Sequence, residues 1–391
     1  MKRGRLGTGT AVAALALAAS AGHVLYPAWL AWRTRSGRGR VDAGRALDKK
    51  RTWPDLTVVV PAYREAGVIG SKVEDIRSNG YEGRVSVVVV ADGDPETATA
   101  ALASGARVFS GPERLGKSQA LNRGFEEADT PIVVISDANN RLKPGALTAL
   151  IERFDEPGVA AVAGEKADEG GGEGLYWKFE SWLKQREDRL GTTIGLVGEL
   201  AAIRADVWRP IPADISTDDI WTALDIVEQG HRVAYEPSAQ AVEPAMTSLK
   251  AQWERRTRMI SGTLHVMVRR GRQLRPSAGL VAAEIWGHRL VRYTVSPVSH
   301  AALLVLAIAK VRSSVLARAF LLAHLFAGVG LIVERGAAAS SDKTAVARSR
   351  HPVTTVLTAS GRIMFLQAVA LGGLVRYLRG DRPTMWPTIE R

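Results

Sequence analysis

Apolar positions follow three rhythms along this 391-residue chain. From Gly7 to Trp32 nearly every position is apolar or small, with His23 the exception. That length can cross a bilayer, and Tyr26, Trp29 and Trp32 suit its interfacial belt. In the middle, short β-branched runs alternate with helical patterns. The runs are Leu56–Val60, closed by Pro61, then Val85–Ala91, Pro131–Ser136 and Ala160–Ala163. Helical periodicity falls between them at Ala66–Asn79, Pro95–Ser104, Ser118–Ala128 and Gly145–Arg153. The last third returns to long apolar stretches at Tyr293–Ala309, Val315–Val333 and Val353–Leu378. The first of these is short and holds Pro297, which also fits shallow or re-entrant packing. A buried soluble bundle is the alternative for all three.

Fully apolar strands alternating with helices predict an α/β domain with a mostly parallel central sheet covered on both faces. In such sheets ligands bind beyond the carboxyl ends of the strands. The domain boundaries expected are a membrane anchor over 1–33, a basic linker over 34–51, an α/β domain over 52–275 and a membrane region over 276–391. The last would hold about three transmembrane helices.

Charge adds an orientation. The formal net charge is +12, and eight Lys or Arg against two Asp lie between Arg33 and Arg51. Positive charge directly behind an apolar run marks the cytoplasmic side of a membrane better than a nucleic-acid arm. Met1–Arg5 with Ala19-Ser20-Ala21 also resembles a cleavable signal peptide. The apolar stretch runs past that site, however, and the basic cluster resists translocation. The middle region is therefore expected in the cytoplasm and the N-terminus outside, with Arg335, Lys343, Arg348 and Arg350 in a second cytoplasmic loop. Arg376, Arg379 and Arg382 then fall outside, against the rule. The chain has no cysteine, which excludes disulfides, thiolate metal sites and a Cys nucleophile.

Candidate chemistry sits at the strand ends. The first run leads into Pro61-Ala62-Tyr63-Arg64-Glu65, the second into Asp92-Gly93-Asp94, the third into Asp137-Ala138-Asn139. Each carries an acid. A single such acid is usually a loop residue or helix cap, as Asp94 before Pro95 would be. Three on one edge point to a ligand. Gly116-Lys117 at a helix start offers N–H groups and a point charge to phosphate. Gly111–Ser118 matches the letters of a P-loop, but only a weak strand precedes it, and Pro112 and Glu113 suit a cradle poorly. Thr217-Asp218-Asp219 precedes a helical pattern at Trp221–Gln229, where capping is the plain alternative. Gln252, Arg255 and Arg256 share a helix face, where a membrane-surface stripe is the plain alternative. Tyr176–Trp182 mixes aromatic and charged residues like an interfacial helix, or like ordinary amphipathic packing.

Taken in order from Val58 to Gly262, these motifs resemble the inverting, membrane-associated glycosyltransferases of family 2. The resemblance implies a GT-A (nucleotide-diphospho-sugar transferase) domain flanked by transmembrane helices. It implies that Ala62, Tyr63, Glu65, Asp92 and Lys117 bind the nucleotide sugar, and that Asp137 holds the diphosphate through Mg²⁺ or Mn²⁺ with Asn139 as second ligand. Asp219 would be the general base, supported by Asp218. Gln252, Arg255 and Arg256 resemble the QxxRW motif of synthase-type members. Three departures stand out. Asn139 replaces the usual acid of the metal motif, Ala91 the first of two acids, and Arg256 the Trp tied to a polymer platform. The implied partners are a nucleotide-sugar donor, UDP-linked before others, a lipid-linked or glycan acceptor and the membrane, not nucleic acid. An oligomer is left open. The implied place is the inner (plasma) membrane, multi-pass, with the catalytic domain cytoplasmic. One rival is a single-sugar transferase to polyprenyl phosphate. Another is a catalytically weak assembly partner, and a hydrolase would need two carboxylates across the bond.

Overall fold

The computed structural model describes residues 2–35, 52–169, 174–244, 248–339 and 352–382. The basic stretch behind Arg35 lies outside these residues, as do Lys343, Arg348 and Arg350. Along the chain, α1 (Lys2–Ser20) and α2 (Tyr26–Arg35) are joined by a π-helical turn. Helices α3 (Ala66–Arg77), α4 (Pro95–Ala103), α5 (Lys117–Glu126), α6 (Ala146–Glu152), α7 (Gly174–Leu190) and α8 (Asp218–Glu228) alternate with strands. Then come α9 (Leu249–Arg269), α10 (Leu280–Glu284), α11 (Val291–Tyr293), α12 (Val295–Lys310), α13 (Val315–Ala339) and α14 (Pro352–Leu378).

Two compact units result. One comprises 29–246, 262–285 and 382–391; the other 1–28, 247–261 and 286–381. The first holds an eight-stranded sheet in the order β3-β2-β1-β4-β7-β6-β8-β5. The strands are β1 (Leu56–Ala62), β2 (Val85–Ala91), β3 (Arg107–Ser110), β4 (Ile132–Ser136), β5 (Arg141–Leu142), β6 (Val159–Glu169), β7 (Leu200–Arg204) and β8 (Arg232–Pro244). β1 is buried along its whole length, and Val87–Ala91 and all of β4 are buried too, as fully apolar strands require. The β3-β2-β1-β4 half is parallel. β7 runs antiparallel between β4 and β6, and β6 pairs parallel with β8. The sheet is thus mixed and mostly parallel, and the reversal at β7 was not legible in its short alanine-rich run.

Strand β1 also continues through Pro61 to Ala62 rather than closing there. Its pairing with β4 ends at Val59, while β2 follows it to Ala62. Pro61 has no N–H to give, and β4 is no longer there to ask for one.

Among the described residues, four helical stretches are long and apolar enough to cross a membrane: Thr10–Arg35, Leu280–Lys310, Val315–Val333 and Val353–Leu378. The first C-terminal stretch is longer than its sequence indicated. Glu284, His288 and Arg292 break the apolar text, yet all three are buried inside the protein. Helices α13 and α14 approach closely at glycines. A Cβ on Gly330 would sit 2.0 Å from the Leu357 carbonyl oxygen, and one on Gly361 would sit 2.7 Å from that of Ala327.

Candidate active site

Parallel register aligns three strand ends. Ala62 lies opposite Ala91, and Val59 opposite Ile135, so Tyr63, Asp92 and Asp137 leave the sheet on one edge. Ala62 is buried, and its carbonyl accepts the Asp92 N–H at 2.9 Å.

Asp92 is occupied within the chain. Its carboxylate accepts the backbone N–H groups of Leu115 at 2.7 Å and Gly116 at 2.9 Å. A phosphate cradle over Gly111–Ser118 would need those donors, so the P-loop reading fails here. Gly93 makes the approach possible, since a Cβ there would lie 2.7 Å from Arg114 N. The Arg114 guanidinium lies 3.7 Å from the Tyr63 ring centroid, covering one face of it.

Asp94 caps α4 before Pro95 and accepts from Thr97 Oγ1 and from the Arg64 N–H, both at 2.5 Å. Partial burial pushes its carboxyl up, but these donors outweigh it and hold it below the ordinary aspartate range. The tie pins Arg64 in a left-handed conformation, φ 57°, and Glu65 N donates to Thr97 Oγ1 at 2.9 Å. Glu65 caps α3 through its carbonyl, accepting from Val68 and Ile69.

Lys117 opens α5 after Gly116, whose φ of 94° only glycine takes readily. Its Nζ lies 2.6 Å from Asp137 Oδ1 and 4.0 Å from Asp218 Oδ2, and donates to the Gly198 carbonyl at 3.3 Å. One lysine therefore joins the end of β4 to the start of α8. Burial alone would lower its pKa, but Asp137 and Asp218 hold it above the ordinary lysine range. Asp137 is pushed up, first by burial and then by Glu199 and Asp218, against the pull of Lys117.

The loop after β4 is held from several sides. Lys72, only 2% exposed, donates to Asn140 Oδ1 at 2.8 Å and to its carbonyl at 3.1 Å. Asn140 Nδ2 donates to the Glu199 carbonyl at 2.9 Å. Asn139 Nδ2 donates to Glu243 Oε1 at 3.0 Å, while its Oδ1 is buried and meets no hydrogen-bond donor. These features fit a divalent ion. Asp137 keeps a second oxygen beside the one that meets Lys117, and the Asn139 Oδ1 meets no donor. Among the described residues no group of three or more His, Cys, Asp or Glu could hold an ion by itself, so further ligands would have to come from a substrate or from water.

Asp218 and Asp219 form the first turn of α8, with Thr217 at the N-cap position, where its carbonyl accepts the Trp221 N–H at 3.1 Å. Helix α5 sets their place. Ser118 Oγ donates to the Ile215 carbonyl at 2.7 Å, and Asn122 exchanges bonds with the backbone of Ile211 at 2.8 and 2.9 Å. Asp218 is buried and Asp219 half-buried. Gln252, Arg255 and Arg256 lie on α9 within the unit that holds residues 247–261 and the apolar helices.

Residues 57–207 match the family described as Glycosyl transferase family 2. The chain carries a family 2 glycosyltransferase domain. A poly-beta-1,6-N-acetyl-D-glucosamine synthase of Staphylococcus aureus is 24% identical over 234 residues, 55% of this chain and 56% of that protein. An N-acetylglucosaminyltransferase of Bradyrhizobium diazoefficiens is 24% identical over 267 residues, 61% of this chain and 54% of that protein. The chain thus spans about half the length of these curated relatives. The solved mannosyltransferase PcManGT of Pyrobaculum calidifontis, in complex with GDP-Man and Mn²⁺, superposes with a TM-score of 0.69 at 24% identity. The match covers 95% of this chain and 99% of that one, and the shared fold is GT-A.

Sequence reasoning missed four groups around the family 2 site: Lys72, Lys166, Glu199 and Glu243. Lys166 pairs with Glu199 at 3.2 Å and with Glu243. Only Glu243 left a trace, as an acid before Pro244 at the end of an alternating strand.

Proposed function

We propose that this chain is a membrane-bound, metal-dependent inverting glycosyltransferase. It moves a sugar from a nucleotide sugar to a lipid-linked or polysaccharide acceptor in envelope or exopolysaccharide synthesis. The observation that carries the reading is Lys117, which bridges Asp137 at 2.6 Å and Asp218 at 4.0 Å and so draws a diphosphate station and an acid pair into one pocket.

In this reading Asp219 takes the proton of the acceptor hydroxyl as its oxygen attacks the anomeric carbon, and Asp218 supports it. The bond to the nucleoside diphosphate breaks on the opposite face, so a single carboxylate suffices. Lys117 meets the charge that develops on the leaving group. Mg²⁺ or Mn²⁺ held by Asp137 and Asn139 would supply Lewis-acid stabilisation of the diphosphate. Tyr63, Glu65 and Asp92 border the nucleoside end, with Asp92 acting through the loop it holds. Gln252, Arg255 and Arg256 serve the diphosphate and acceptor. The relatives' names make N-acetylglucosamine the first sugar to test, and the domain is assigned to the cytoplasmic face of the inner membrane.

The test uses the full chain in membranes with lipid extract, UDP-, GDP- or dTDP-sugars, and Mg²⁺ or Mn²⁺. Nucleoside diphosphate release should need one donor and a metal, and Asp219→Asn should lower it about 10²–10⁴-fold. Donor binding without release from any donor would move the assignment to a non-catalytic assembly partner.

A further inference from the structure

Behind the strand-end loop lies a charged triplet that the proposed reaction does not use directly. Lys166 on β6 is 5% exposed and sits between Glu199, at 3.2 Å, and Glu243 at the end of β8. Glu243 spends one oxygen on Lys166 and the other on Asn139 Nδ2. A carboxylate only accepts, so the amide must present its N–H₂ to Glu243 and its oxygen to the other side. That oxygen is the buried, donor-free Oδ1.

We infer that Glu243, itself fixed by Lys166, is a positioning residue that sets the polarity of the Asn139 amide so that its oxygen, not its nitrogen, faces the metal. The inference rests on the proposed metal-dependent reading. It also explains why an amide stands at Asn139. An acid there would bring a third carboxylate against Glu243 and Glu199. The negative charge is kept, one shell farther out.

The consequence of Glu243→Gln follows from donor counting. Lys166 has no acceptor capacity, so it claims the Gln carbonyl and turns the Gln N–H₂ toward Asn139. Asn139 must then accept with its oxygen and turn its own N–H₂ toward the metal. Asn139→Asp alone sets two carboxylates face to face. The pair Asn139→Asp with Glu243→Gln restores a donor–acceptor match and leaves an aspartate oxygen for the ion.

The experiment titrates Mn²⁺ into the full detergent-solubilised chain with saturating UDP or GDP and reads bound metal by electron paramagnetic resonance. Expected are a loss of Mn²⁺ affinity of about 10-fold or more in each single variant and recovery in the double variant. Asn139→Asp reads the contact with Glu243 and Lys166 intact, so a fold defect in Glu243→Gln leaves the test standing. Wild-type affinity in Glu243→Gln, or a double variant no better than Asn139→Asp, overturns the positioning role while leaving the metal reading. Absence of Mn²⁺ binding to the wild type with either nucleotide overturns both.

Discussion

Lys72 shows how one buried charge supports the loop that bears Asp137. Burial lowers its pKa from 10.5 to about 8, with Asp75 and Asp137 opposing that shift. The sign of the linkage follows. Folded Lys72 gives up its proton near pH 8 and the unfolded chain keeps it to about 10.5. Between those values the unfolded state binds more protons, so rising pH favours the fold. Relative to Lys72→Met, which never titrates, the wild type should gain about 3 kcal/mol across this window. Melting curves of the two proteins in detergent, measured at pH 7.5, 9 and 10, check it; a constant difference would place the lysine in an ordinary solvated state.

Helices α5, α8 and α9 decide where the acid pair lies. Arg270, directly after α9, pairs with Asp225 at 2.7 Å and with Glu228, while Gln273 donates to the Leu224 carbonyl at 2.8 Å, so α8 is gripped along its far end. Near its start the fit depends on Gly262. A Cβ there would lie 2.4 Å from Ser216 Oγ and 2.9 Å from Thr217 Cγ2. Gly262→Ala should therefore cost about 1–3 kcal/mol by overpacking. Because the displaced residues lead directly into Asp218 and Asp219, transfer should fall about tenfold or more even where the variant remains folded. Comparing melting temperature with initial rate separates the two effects. A variant that loses stability but keeps full rate would uncouple the Ser216–Thr217 turn from the acid pair.

At the scale of the whole molecule, the proposed orientation is open to a direct test. If the sheet domain is cytoplasmic, as proposed, the turn between α12 and α13 should lie outside. The chain has no native cysteine, so single introduced cysteines read topology against a blank background. Ala103→Cys, exposed on α4, should react with a membrane-impermeant maleimide only after the membrane is opened, and Ser313→Cys should react in intact cells. The reverse pattern would invert the assigned orientation.

The sequence by itself determined the α/β class, the strands at β1, β2 and β4, the apolar stretches and the acids at the strand ends. These are local properties: an all-apolar β-branched run has to be buried on both faces, and the residue after it has to leave the sheet. Tertiary structure alone decided what happens across distance. It reversed β7, carried β1 through Pro61, and set Glu284, His288 and Arg292 in the interior of a stretch they seemed to interrupt. It also gave Asp92 to the backbone of Leu115 and Gly116 and brought Glu243 to Asn139, 104 positions away. Such contacts carry no periodicity, because a hydrogen bond between distant segments depends on where strands end in space and not on what flanks each residue in the chain.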